Sequence, residues 1–195
     1  GYAWADNLHH LSYGMVHLPS GKMKSRAGTV VDADDLFDGM IGLARSATIE
    51  RAGADLPDDL EHRAEVIGLG ALKFFLLKFT AQSSIKFDPE AAIRFEGDTG
   101  PYLKYTYARA NSIMGRTKKK PKAGQLGENI EQELVKKLSK FPSIIEKSSE
   151  EYKPNVLANY LFELATMFNE FYHAVRVVGQ PQEEERLALV SSVMT

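Results

Sequence analysis

Cysteine is absent from the 195 residues, which excludes disulfide cross-links, thiolate zinc sites and a cysteine nucleophile. An excess of either charge is missing as well. With 24 Lys plus Arg against 26 Asp plus Glu, the net charge is −2, so a globally basic nucleic-acid coat and an acidic disordered tail are both excluded. Any contact with phosphate must come from a local patch. No apolar run approaches the roughly 18 residues that a transmembrane helix needs, and Gly1-Tyr2-Ala3-Trp4 offers neither the basic region nor the apolar core of a leader. The five histidines lack ligand spacing: His9 and His10 are adjacent, and His17, His62 and His173 stand alone, so no protein-built metal site is expected. A Ser/His/Asp arrangement and a paired-carboxylate signature are also missing. A Walker-type phosphate loop is excluded because Val16 stands where its first glycine belongs and Met23 follows the lysine. The expectation is a soluble, cytoplasmic chain with no membrane partner and, because it does not begin with Met, a fragment of a longer protein.

What is present is helical period. The chain is 44% apolar and 26% charged, enough for one sizeable core or two small ones. Residues 1–31 form the exception. They are rich in Gly, His and aromatics, and Val16-His17-Leu18 and Thr29-Val30-Val31 read as short strands flanking a glycine-rich turn, an extended loop or hairpin. This is the segment expected to be most mobile, its strand partners lying outside the chain. From residue 32 onward the pattern is helical. Asp32 or Asp34 caps a helix carrying Leu36, Met40, Ile41, Leu43 and Ala44 to about Ala52, and Asp58-Asp59 opens a broad-striped helix through Phe79. Asp88-Pro89 starts a short helix to about Phe95. After the turn Glu96–Pro101 a helix runs to about Gly115, with Leu103, Tyr107, Ala110, Ile113 and Met114 inward. Residues 116–127 hold Arg116, Lys118, Lys119, Lys120 and Lys122 without an acid and read as a basic, mobile linker.

Beyond the linker, a helix from Asn129 to Lys140 places Ile130, Leu134, Val135 and Leu138 on one face, and a short helix follows Pro142. A long helix from Pro154 turns Val156, Tyr160, Leu161, Leu164, Phe168, Phe171, Tyr172 and Val175 inward. Its other face carries Asn155, Asn159, Glu163, Asn169, Glu170 and His173. Glu183-Glu184-Glu185 sits in the first turn of a last helix, where the macrodipole favours acid.

Two segments carry chemistry. Leu18 to Thr29 packs Lys22, Lys24, Arg26 and three hydroxyl residues into a glycine-rich loop, a chain able to follow charge moving onto pyrophosphate when an α-phosphate is attacked. Taken alone, such a loop is more often a solvated turn. The second is the helix Tyr102-Leu103-Lys104-Tyr105-Thr106-Tyr107-Ala108-Arg109. Tyr102 with Tyr105, or Tyr105 with Arg109, can share a face and offer ring stacking beside a phosphate contact, which unpaired RNA bases need. From pattern alone, aromatics at this spacing are more often core packing.

Three separated segments coincide with one family. Gly21-Lys22-Met23-Lys24-Ser25-Arg26 resembles the degenerate KMSKS signature of class I aminoacyl-tRNA synthetases. Phe95-Glu96-Gly97-Asp98-Thr99-Gly100-Pro101-Tyr102-Leu103-Lys104-Tyr105 resembles a motif of arginyl-tRNA synthetases, and Leu157 to Leu164, Phe168 to Tyr172 and Arg186 to Leu189 are similar to the same family's C-terminal anticodon-binding helices. The order agrees from about Tyr13 to Leu189. Ser25 stands where the full signature has its second lysine.

The resemblance implies an all-α fold: a helical bundle of the class I synthetase anticodon-binding type over residues 32–195, preceded by a short extended remnant of the catalytic region over residues 1–31. It implies that Lys22, Met23, Lys24, Ser25 and Arg26 belong to a loop gripping ATP phosphates, and that Tyr105, Arg109, Tyr172 and Arg176 form the anticodon-binding surface. The partners implied are arginine tRNA and, in the full-length enzyme, arginine and ATP with Mg2+. No HIGH-type His-x-Gly-His sequence occurs, so the fragment is expected to hold no cofactor, to bind tRNA as a monomer and not to aminoacylate alone. The alternative is a helical protein-interaction module derived from a synthetase.

Overall fold

The computed structural model describes residues 2–17 and 32–195. The phosphate-gripping loop expected at Lys22 to Arg26 and the second expected strand, 29–31, lie outside the described residues. The first strand does not wait for partners elsewhere. Val16–His17 (β1) pairs in parallel with Ile85–Lys86 (β2), Val16 opposite Ile85. The Ile85 amide donates to Met15 O at 2.9 Å and the Phe87 amide to His17 O at 2.7 Å. The Gly14 amide donates to Ala81 O, and any side chain at Gly14 would overlap the Ser83 carbonyl. The segment is thus anchored from Gly14 to His17 on a partner in this chain, a correction to the expected pairing.

Helix α1, Ala33–Ala52, starts where Asp32 caps it, the carboxylate accepting from the Asp34 amide. Gly53 ends it at φ +61°. Helix α2, Leu60–Leu77, lies against α1 through Ala64, Gly68, Ala71 and Leu72. A Cβ on Gly68 would stand 2.7 Å from Met40 O, so the two backbones approach at that point. Met40, Leu72, Phe75, Phe87 and Ala92 form the first hydrophobic cluster.

Helix α3, Pro89–Ala92, is capped by Asp88, which accepts from the Ala91 amide at 3.1 Å; it ends earlier than the expected Phe95. Helix α4, Gly100–Gly115, is capped by Thr99, whose hydroxyl accepts from the Tyr102 amide and donates to Arg94 O. With Pro101 in its first turn this is the start the sequence announces. Helix α4 bears on α2 at one side and on the later helices at the other. The later helices are α5 (Asn129–Leu138), α6 (Phe141–Glu150), α7 (Pro154–Ala174) and α8 (Glu183–Val193), of which α7 and α8 bear on α4. Ile113, Leu134, Leu164, Phe168, Phe171, Leu187 and Val190 make the second cluster. Among the described residues the architecture is all-helical apart from one two-residue strand pair.

Three inward and outward assignments change, and Glu131, left unassigned by the sequence, proves to be buried. Tyr107 is 54% exposed and Val135 is 45% exposed, both away from the core. Asn169 is buried instead. The basic linker 116–127 is strapped along α8: Thr117 donates to Glu183, the Lys122 amide donates to Glu184 O at 3.0 Å, and Leu126 packs on the second cluster.

Candidate nucleic-acid interface

Tyr105 and Arg109 are four residues apart on α4 and therefore share a face. The structure brings that face against the end of α7. The Arg109 guanidinium carbon lies 4.4 Å from the Tyr105 ring centroid and 4.8 Å from that of Tyr172, so the cation sits between two rings. Its Nη2 donates to the Tyr105 hydroxyl at 2.7 Å, and its Nη1 donates to Asn169 Oδ1 at 2.8 Å and lies 3.3 Å from His173 Nε2.

What fixes this arrangement is Asn169. Its Nδ2 lies 2.8 Å from Thr106 Oγ1, 2.9 Å from Ala165 O and 3.0 Å from the Tyr102 hydroxyl. A buried amide with all of its polar atoms engaged is rigid, because any rotation leaves a polar group unpaired away from water. Asn169 thus registers α7 against α4 and hands its carbonyl to Arg109. Tyr102 stays behind the surface, its ring tilted against Phe162 at 5.7 Å. Tyr105 is 41% exposed and Arg109 is half-buried, as is Tyr172, which also packs against the second cluster.

Arg176 stands just beyond α7, where Val175 turns extended. It is exposed and has no ring beneath its guanidinium among the described residues. It shares with Tyr172 a cleft of about 300 Å³, also lined by Ile113, Arg116 and Val178. The backbone there is held from α8: Arg186 Nη1 donates to Arg176 O at 2.9 Å. Arg186 in turn pairs with Glu131 at 2.6 Å, 7% exposed against 0%. Glu131 Oε2 accepts from the Gly127 and Glu128 amides at 3.0 and 2.9 Å, so one carboxylate caps α5, pairs with α8 and braces the turn that presents Arg176. On the same side, Glu183 accepts from the Thr117 hydroxyl at 2.6 Å and the Gly179 amide at 2.9 Å, with Lys119 Nζ 3.2 Å away. Its carboxyl is held below its ordinary value, chiefly by the Thr117 hydrogen bond and next by the Gly179 amide.

Of the four residues expected on this surface, Arg109 contacts both Tyr105 and Tyr172, and Arg176 joins through the cleft it shares with Tyr172. Sequence reasoning missed Asn169, placed on the solvent face, Arg116, placed in the linker, and the Glu131–Arg186 brace. Among the described residues no group of three or more His, Cys, Asp or Glu could hold a metal ion, and no helix is long and apolar enough to cross a membrane.

The helices that carry this ring-and-guanidinium surface fall within residues 103–195 apart from the start of α4, and residues 103–195 match the DALR anticodon binding domain. The chain is 39% identical over 208 residues to an arginine–tRNA ligase of Phocaeicola vulgatus, covering 99% of this chain and 34% of the relative. It is 40% identical over 197 residues to one of Porphyromonas gingivalis, covering 96% of this chain and 32% of that protein. The solved arginyl-tRNA synthetase of Thermus thermophilus superposes with a TM-score of 0.87 at 33% identity, over 98% of this chain and 33% of that one. The chain belongs to the arginyl-tRNA synthetase family and spans about a third of the length of the relatives it matches.

Proposed function

We propose that this chain supplies the anticodon-binding part of an enzyme that attaches arginine to its tRNA using ATP. The observation that carries the reading is the Arg109 guanidinium clamped between the Tyr105 and Tyr172 rings with its Nη1 fixed on buried Asn169. A loop nucleotide can stack on the outer face of either ring, and stacking of a base on an aromatic is sequence-tolerant. Discrimination then falls to hydrogen bonds at base edges, for which the candidates are Arg176 and Arg116, both lining the adjoining cleft. On this reading residues 32–195 are the tRNA-binding unit, and residues 1–31 belong to the catalytic region, with Lys22 to Arg26 on ATP phosphates and Mg2+ bound with the ATP. The whole enzyme acts as a cytoplasmic monomer, and this chain alone does not aminoacylate. The ATP-contacting segment lies outside the described residues, so the described ones bear on the tRNA half of the reaction alone.

The test is titration of the chain with arginine tRNA and with the same tRNA carrying a changed anticodon. Tighter binding of the first, lost in Tyr172→Ala, supports the reading; equal or absent binding refutes it. A second reading, a helical protein-interaction module, is favoured by one feature, an apolar groove of about 410 Å³ lined by Leu138, Phe141, Leu161, Leu164 and Val193. A protein complex that survives removal of RNA, together with no effect of Tyr172→Ala on tRNA affinity, would establish it.

A further inference from the structure

Around the helix from the ring cluster, α4 carries a second cationic feature on the side it turns to α2. The sequence has no Asp or Glu from residue 66 to 87, nor from 99 to 127, and those two stretches hold ten Lys or Arg. Three of these ten cations already have partners. Lys78 pairs with Asp98 at 2.7 Å, Lys119 with Glu183, and Arg109 sits between its rings. Lys73 on α2 and Lys104 on α4 make no ion pair among the described residues.

The two lysines are brought together by the close helix contact. Any side chain at Gly100 would overlap the Gly70 carbonyl, and a Cβ on Gly70 would come 2.5 Å from Lys104 Cε. The Lys104 side chain lies over α2 at Gly70, half-buried. Lys73, three residues on from Gly70 and so on the same face of α2, is exposed beside it. Burial, and next the charge of Lys73, pulls the Lys104 ammonium below its ordinary value. Two like charges held together without a counter-charge destabilise the free protein, and an anion placed between them relieves both the repulsion and the lost hydration.

The ligand follows from continuity with the ring surface. Lys104 and Arg109 are five residues apart, about 7.5 Å along the helix axis at roughly 1.5 Å per residue. Ala108 and Ser112, which lie between their faces around α4, are exposed and uncharged. A strand whose bases reach the rings therefore carries its backbone within reach of the lysines.

We propose that Lys73 and Lys104 form a phosphate-contact site for the sugar–phosphate backbone of the RNA bound at the Arg109 rings. The site reads charge and not base sequence, and the proposal rests on the RNA-binding reading above.

The experiment is tRNA titration across salt concentrations with the whole chain and with K73Q, K104Q, the double variant and K73E. K147Q serves as a control, since Lys147 lies exposed on α6. Each contact lowers the slope of log affinity against log salt by about 0.7–0.9, so the double variant loses about 1.5 in slope and about ten- to fortyfold in affinity at about 0.1 M salt. The loss is expected to be equal for cognate and changed-anticodon tRNA, and K147Q to leave both quantities unchanged. Lys73 is exposed, so K73E reports on binding even if K104Q disturbs the helix contact, and a several-fold loss is expected from it.

Unchanged slope and affinity in K73E and the double variant, with Tyr172→Ala still weakening binding, overturn the site and leave the anticodon reading standing. Loss confined to cognate tRNA overturns the charge-only assignment. A parallel titration with inorganic phosphate, followed by the side-chain NMR signals of Lys73 and Lys104, separates the sources. If free phosphate moves both signals while the tRNA slope is unaffected by the double variant, the site takes small anions and the RNA-backbone assignment fails. A chain that binds neither tRNA overturns both readings.

Discussion

Replacing Arg186 by Met removes the guanidinium that neutralises Glu131 and leaves a carboxylate that is fully buried. The side chains are similar in length, so the cavity effect is small and the electrostatic effect dominates. Glu131 keeps its two backbone donors, the Gly127 and Glu128 amides, which support one oxygen; the other, Oε1, loses its partner. Removing one member of a buried pair costs about 3–5 kcal/mol, because the remaining charge is uncompensated. For a chain of this size that corresponds to a fall in Tm of about 6–20 °C. The double variant Glu131→Gln/Arg186→Met is expected to recover part of the loss, since it no longer buries a lone charge. Urea unfolding of wild type, both single variants and the double variant, analysed as a double-mutant cycle, measures the coupling. A loss below about 1 kcal/mol in Arg186→Met, or strict additivity in the cycle, would refute the claim that this pair braces the bundle. The same variant frees Arg176 O from its donor. Anticodon discrimination is therefore expected to weaken even at temperatures where the chain remains folded.

Asn169→Ala deprives Thr106, Tyr102 and the Ala165 carbonyl of a donor and Arg109 of its acceptor. Stability is expected to drop by about 1–3 kcal/mol in urea unfolding, with tRNA affinity falling although the residue does not face the ligand. Tyr172→Ala removes one face of the Arg109 sandwich and a stacking platform. Fluorescence titration is expected to show a five- to hundredfold weaker tRNA affinity, the equivalent of roughly 1–3 kcal/mol per stacked base. Gly68→Ala forces a methyl against the Met40 backbone 2.7 Å away; overpacking of this kind is expected to lower stability by about 1–3 kcal/mol, against the gain that alanine brings to an ordinary helix position. Glu183 has a folded value depressed below its ordinary 4.5. Its stabilisation is complete above that ordinary value and is lost as pH falls through the folded one. The difference in urea midpoint between wild type and Glu183→Gln is therefore expected to narrow as pH drops below about 4.5, and a gap independent of pH would contradict the assignment.

Most helix starts were legible in the sequence. Asp32 and Asp88-Pro89 each supply a cap whose partner is an amide two or three residues on, and the structure shows those hydrogen bonds in place; at the turn before Pro101 it adds a Thr99 cap. The long α7 face from Tyr160 to Phe171 was equally legible, because apolar side chains at steps of three and four must turn one way. The ring surface was half legible. Tyr105 and Arg109 share a face by spacing alone, but that Tyr172 closes the sandwich depends on a helix contact more than 60 residues distant along the chain.

The sequence by itself determined where the helices begin, which apolar faces they bury and, through three ordered motifs, the family. Those features depend on neighbours within one or two turns. Only the tertiary structure decided that Asn169 and Glu131 lie inside, that Tyr107 and Val135 lie outside, and that Val16–His17 pairs with Ile85–Lys86. A polar side chain enters a core when its hydrogen-bonding atoms find partners there. The partners of Asn169 on α4 and of Glu131 on α8 lie 55 or more residues away, a distance over which no local pattern of hydrophobicity carries information.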